Sequence, residues 1–290
     1  MFIRLFLTLL LFAPLTAYAQ NETADTRRPP LFVMADADSK VYLLGSVHLL
    51  PEGALPLPPA VEAAYADADV LAFELDLDAA QAGAATLMQL GMDGASIADV
   101  LTADQKAAFD AFAAGAGLPQ GALDAFEPWM ASMTLSVLAM QKAGMAGEGV
   151  DAHFSARAKA DGKERVAFET AGQQIRLFDE LPMDDQVAML MAGIDEDVDS
   201  VGVYLARMID LWSMGEDEVL AALMNEGIGE TSTLRSALLT DRNRAWVPQI
   251  VSLLERQGED ALVVVGAGHL IGDESVVEML RASGYSVERL

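Results

Sequence analysis

Short runs of nearly uninterrupted apolar residues constrain this chain more than any other feature: Val41–Leu44, Val70–Phe73 and Ala261–Val265. A strand with one face in water alternates apolar and polar residues. A strand that is apolar at every position must be covered on both faces. Such strands belong inside a sheet with helices on either side. Leu31–Met34 and Lys40–Leu44, separated by Ala-Asp-Ala-Asp-Ser, carry a hairpin signature. Further strands are predicted over Val70–Leu75, Arg165–Phe168 and Tyr285–Arg289, and helices over Pro58–Ala68, Val150–Ala160 and Asp273–Ala282. Residues 79 to about 145 are rich in Ala, Met, Leu and Gln, which predicts a helical block broken at Gly91, Gly94, Pro119 and Pro128. More helices follow through residues 172–258. The predicted fold is α/β: a central mixed β-sheet flanked by helices, with a large helical insertion, in a single domain over residues 31–290.

The start of the chain has the pattern of a targeting segment. Arg4 forms a short basic region, Leu5 to Leu15 is mostly apolar, and Ala17-Tyr18-Ala19 is a small-x-small cleavage site. This predicts a signal peptide over residues 1–19, cut near Ala19/Gln20, and a periplasmic or secreted bacterial protein. The apolar run is short for a membrane span, and no later stretch is suited to cross a bilayer, so no stable membrane insertion is expected after cleavage. Residues 20–30 are polar, end in Pro29-Pro30, and read as a flexible leader.

Charge and cysteine usage exclude several functions. With 44 acidic against 18 basic side chains and a pI near 4.2, the chain lacks the basic surface that displaces counterions from nucleic-acid phosphates. It contains no cysteine, so disulfides, thiol catalysis and cysteine zinc sites are excluded.

The chain has three histidines, and two share one local pattern. Gly45-Ser46-Val47-His48 follows one apolar run and Gly266-Ala267-Gly268-His269 follows another. In each, a strand ends, a glycine permits a sharp turn, and an imidazole sits three residues further on. Ligands of open α/β sheets bind outside the carboxyl ends of the strands. Glu74 and Glu169 also fall at predicted strand ends. Two neutral imidazoles and a carboxylate are the ligand set of an open catalytic metal site, with a position left for water. His48 and His269 are therefore expected to lie together with one of these strand-end carboxylates, with donor atoms roughly 3–5 Å apart. Arg242, in Thr-Asp-Arg-Asn-Arg-Ala-Trp, is a candidate to polarise a carbonyl or stabilise an oxyanion. His153 sits in a helical context, away from this pattern.

The two Gly-x-x-His segments resemble the TraB/PrgY/GumN family when taken with Phe73-Glu74-Leu75-Asp76, Gly149-Val150-Asp151, Phe168-Glu169-Thr170, Gln173, Arg242-Asn243-Arg244 and Gly284-Tyr285. That family includes the TIKI metalloproteases and is related to erythromycin esterases and ChaN-like haem-binding proteins. The resemblance runs from about residue 31 to 290. It implies a sheet-centred fold with His48, Glu74 and His269 as metal ligands, holding manganese, cobalt or zinc. Glu169 and Arg242 match further family positions and join Glu74 as candidate catalytic residues. Phe168 stands where many members have leucine. The implied activity is metal-dependent hydrolysis of a peptide or small acyl substrate. The alternative is a non-catalytic periplasmic protein that binds metal, haem or peptide through the same histidines.

Overall fold

The computed structural model describes residues 25–82, 84–142, 144, 147–194, 198–228 and 235–290. The expected signal peptide, residues 1–19, and the first part of the leader lie outside the described residues. No helix among the described residues is long and apolar enough to cross a membrane.

In chain order the strands are β1 (Leu31–Ala35), β2 (Lys40–Ser46), β3 (Leu49–Leu50), β4 (Val70–Leu75), β5 (Gly147–Glu148), β6 (Glu164–Glu169), β7 (Ala261–Gly266) and β8 (Val287–Arg289). The helices are α1 (Pro59–Asp67), α2 (Leu77–Ala82), α3 (Ala84–Leu90), α4 (Ile97–Val100), α5 (Ala103–Gly115), α6 (Pro128–Lys142), α7 (Val150–Asp161), α8 (Ala171–Asp179), α9 (Met183–Gly193), α10 (Val198–Met214), α11 (Asp217–Ile228), α12 (Asp241–Leu254) and α13 (Val276–Ala282). A π-helical turn, Ser236–Thr240, leads into α12, and a 3-10 turn, Ala267–His269, leaves β7.

Six strands form one mixed sheet in the order β6-β4-β7-β2-β1-β8. Strands β6, β4, β7 and β2 run parallel to one another, while β1 pairs antiparallel with both β2 and β8. The apolar runs are buried on both faces, as their composition requires. On one face Leu44, Leu71, Phe73, Leu262 and Val264 pack with Val61 and Tyr65 of α1 and Phe154 of α7. On the other, Leu43, Val70, Ala72, Val263 and Val265 pack with Trp246 and Ile250 of α12 and Leu280 of α13. Successive residues of one strand therefore feed opposite cores. The helical block has its own core, in which Phe109 and Phe112 of α5 and Leu135 of α6 meet Leu190 of α9.

Two features differ from the sequence expectation. The end of the stretch expected as a flexible leader is docked: Pro29 and Pro30 are buried, Arg28 N–H donates to Ser213 O (2.6 Å), and Gly45 N–H donates to Pro30 O (2.7 Å). Proline-rich polar sequence carries no local sign of such packing. The second is a ladder between β3 and β5, two residues each, which ties the segment after His48 to the start of α7. Val150 N–H donates to Val47 O across the same junction (3.0 Å).

This junction depends on Gly149, where a Cβ would lie 2.1 Å from the carbonyl oxygen of His48. That contact is backbone, so the neighbour cannot swing aside. We expect Gly149→Ala to destabilise the fold by about 1–3 kcal/mol, as overpacking does, measured by urea unfolding. An unchanged midpoint would show that β3 and α7 are free to separate.

Candidate active site

Parallel alignment of β6, β4, β7 and β2 brings their carboxyl ends to one edge of the sheet. Ser46 pairs with Gly266 and Leu75 with Glu169, so the segments bearing His48, His269, Glu74 and Glu169 emerge side by side. The glycines serve close approach. A Cβ on Gly45 would lie 2.9 Å from the Pro30 Cβ and 3.0 Å from Ala267 Cα. Gly266 N–H donates to Glu74 Oε1 (2.7 Å), and a Cβ on Gly266 would press on the same oxygen at 3.2 Å.

The 3-10 turn carries His269 back into the protein, where its side chain is 6% exposed. Asn243 fixes its tautomer. The Asn243 amide donates to Glu274 O (2.8 Å), which leaves Oδ1 facing His269 Nδ1 at 2.6 Å. We therefore place the ring proton on Nδ1, and the Nε2 lone pair points into the site. Nε2 lies 3.8 Å from Glu74 Oε1 and accepts from Arg242 Nη1 at 3.1 Å. Trp246 stacks against the ring, centroid to centroid 4.4 Å.

Arg242, on the first turn of α12, is the hub. Nε and Nη2 donate to the two oxygens of Glu169 (3.0 and 2.9 Å), and Nη2 also donates to Glu74 Oε2 (2.6 Å). Glu169 further accepts from the Trp246 indole (2.9 Å) and from Gln174 (3.1 Å), whose amide also reaches Glu74 Oε2 (3.3 Å). The guanidinium carbon lies 4.7 Å from the Trp246 ring centre. A mostly buried guanidinium between two carboxylates satisfies the requirement that buried charge be paired and hydrogen-bonded.

His48 stands at the rim. Its side chain is 70% exposed, and Nδ1 lies 3.2 Å from Asp151 Oδ2 at the start of α7. With Glu74, Asp151, Gln174 and Ser46 it lines a cavity of about 150 Å³. The structure thus joins Glu74, Glu169, Arg242 and His269 in one network and sets His48 across a shared cavity from Glu74. Glu74 and His269 stand at the expected separation. His48 does not complete the set: His48, Glu74 and His269 do not all come within 4.8 Å of one another. Among the described residues, the group that does gather three candidate ligand atoms at that distance is Asp93, Glu127 and Asp179, in the helical region. His153 lies outside the site, near Glu148 and against Phe154.

Asn243, Asp151, Gln174 and Trp246 were not singled out by sequence reasoning as site residues. Asn243 follows Arg242 directly, and that adjacency was the available signal. Gln173 closes a capping box with Thr170 at the start of α8, and its neighbour Gln174 is the residue that reaches the site.

The charges follow from this arrangement. Asp151 raises the His48 imidazole to about 9. Burial pushes His269 down to about 4, against the pull of Glu74. Burial opposes ionisation of Glu74, yet the charges of His269, Arg242 and His48 and the Gly266 N–H hold its carboxyl down at about 2.

The sequence signature of the TraB/PrgY/gumN family matches residues 30–289. The chain belongs to this family. It is 24% identical to the uncharacterized protein YbaP of Escherichia coli K12 over 258 residues, covering 87% of this chain and 92% of that protein. The YbaP of Shigella flexneri matches to the same extent. A metalloprotease TIKI homolog of Amphimedon queenslandica is 41% identical over 76 residues, 24% of this chain. Those residues span only 15% of that relative. No solved structure matches the chain.

The buried neutral imidazole makes a prediction. An unfolded histidine titrates near 6.5, whereas His269 titrates near 4. Between these values the unfolded chain binds a proton that the folded chain does not, so the fold loses stability as pH falls from 6.5 to 4. Urea unfolding over this interval should show a steeper loss for wild type than for His269→Gln. Parallel slopes would mean that His269 is protonated in the fold.

Proposed function

We propose that this chain is an exported metal-dependent hydrolase acting on peptide or related acyl bonds. One observation carries the reading: both Gly-x-x-His imidazoles have Nδ1 held by an oxygen, on Asp151 or Asn243, which directs Nε2 to a ligand at a carboxylate-lined sheet edge once His48, held up at about 9 by Asp151, gives up its Nε2 proton. Metal-binding histidines characteristically donate their other nitrogen to such a partner. The donor chemistry therefore fits a divalent ion held by Glu74 and His269 Nε2, with His48 Nε2 joining them only by moving in from the rim, and with manganese, cobalt and zinc as candidates. When bound, such an ion lowers the pKa of water and polarises a carbonyl.

The protein's own residues divide the remaining work. Glu169 is committed to Arg242, Trp246 and Gln174 and serves to hold the guanidinium. Glu74 is then the carboxylate that would ligate the ion. Arg242 supplies N–H donors for a developing oxyanion. The cavity beside His48 and Glu74 is bounded by Phe73, Leu75 and Val264 and suits a small apolar side chain or acyl group. The name of the TIKI relative supports a peptide as substrate, and the pattern of residues 1–19 supports export to the periplasm.

Protein purified without chelators should carry one tight equivalent of metal and cleave members of a peptide library when supplied with manganese, cobalt or zinc. Glu74→Gln should abolish cleavage, and Asn243→Ala should weaken metal binding or activity roughly 10–100-fold. Tight metal with no turnover across the library would favour the non-catalytic binder. Cleavage at the wild-type rate by His48→Ala/His269→Ala would overturn the mechanism.

A further inference from the structure

We propose that Arg242 is a built-in counter-cation that a divalent ion must displace from His269 Nε2 and Glu74, an inference that rests on the metal-dependent reading above. A neutral imidazole has one lone pair, and in His269 it is Nε2 that carries it. That lone pair already accepts from Arg242 Nη1 at 3.1 Å. The ring cannot offer its other nitrogen instead, because Asn243 holds Nδ1–H and Glu274 O holds Asn243. Glu74 is occupied as well: Oε1 accepts from Gly266 N–H, and Oε2 accepts from Arg242 Nη2 and Gln174. An ion on Nε2 would take the place of the Nη1 proton and would stand beside a fixed positive charge. Guanidinium and metal are therefore alternatives at this atom.

The surroundings let the guanidinium yield without leaving. Nε and Nη2 are anchored on both oxygens of Glu169, and the plane lies over Trp246. Nη1, Nη2 and Nε share one rigid plane, and Nη1 also donates to Leu238 O (3.1 Å), so release of His269 and Glu74 requires the whole guanidinium to pivot on its Glu169 clamp. The freed N–H groups then lack acceptors, which is the state in which they can meet a substrate carbonyl. Metal loading and presentation of the oxyanion donor become one event.

The test uses the mature full-length chain and Zn²⁺ alone. Arg242→Lys keeps the positive charge, but a point ammonium cannot clamp Glu169 bidentately and cap Nε2 together. Arg242→Lys should bind Zn²⁺ at least about tenfold more tightly than wild type, the scale of one charge-assisted hydrogen bond. His269→Ala should lose the tight equivalent and mark it apart from weak binding by exposed acids. In wild type, the Arg242 Nε–Hε NMR resonance, identified by its proximity to the Trp246 indole, should shift on adding Zn²⁺. That measurement does not depend on any variant folding. Equal or weaker binding by Arg242→Lys, with the wild-type resonance unmoved in a protein that does bind one tight Zn²⁺, overturns the displacement while leaving the metal-dependent reading standing. No tight Zn²⁺ in either protein removes both.

Discussion

The ion pair between Arg242 and Glu169 is the interaction on which the site depends. It joins the last residue of β6 to the first turn of α12, two elements that sequence separates by more than seventy residues. From this pair the network extends to Glu74 on β4 and to His269 beyond β7. Each member is mostly buried, so each needs the others: removing the guanidinium would leave two carboxylates facing one another out of water. Trp246 contributes twice, through its indole N–H to Glu169 and through its ring against Arg242 and His269. The same tryptophan is fully buried in the core beneath the sheet, so the chemistry of the site is bolted to the packing of the fold.

The sheet supplies the geometry that this network requires. Four parallel strands end at one edge, and the residues that follow them are the ones with chemistry to offer. The two faces of the sheet are given over to apolar packing. A second, smaller device sets the rim: the β3–β5 ladder and the close approach of Gly149 hold the His48 segment against α7, whose first turn presents Asp151. His48 and His269 thus reach the same region by different routes, one on a loop clipped to a helix and exposed, the other folded inward by a 3-10 turn.

Much of this was legible in the sequence because it was written in local patterns. The apolar runs Val70–Phe73 and Ala261–Val265 declare strands buried on both faces, and the mixed sheet follows from them. Glu74, Glu169 and His269 stood out as polar residues at or just beyond strand ends and Arg242 as a candidate cation in Thr-Asp-Arg-Asn-Arg-Ala-Trp, and the structure places them in one network. What could not be read is what depends on pairings between distant segments. Nothing local marks Leu49–Leu50 and Gly147–Glu148 as partners. Asp151 looks like an ordinary acidic residue in a helix first turn until α7 is placed beside His48. Gln174 is distinguished from Gln173 only by the direction each faces on α8. The docking of Arg28, Pro29 and Pro30 against Ser213 and Gly45 is likewise a long-range contact, invisible in a proline-rich polar stretch. The Asp93–Glu127–Asp179 group has no local signature for the same reason, since its members come from three separate segments.

The central claim is that the carboxyl edge of this sheet is a metal centre built on Glu74 and His269. Anomalous diffraction at the zinc absorption edge, from crystals grown with stoichiometric Zn²⁺, tests it most directly. The account predicts one strong peak within bonding distance of His269 Nε2 and Glu74, about 2.0–2.2 Å from each, with Arg242 turned away from Nε2 and still clamped to Glu169. A peak confined to Asp93, Glu127 and Asp179, or to exposed acids, with Arg242 still capping Nε2, would contradict it.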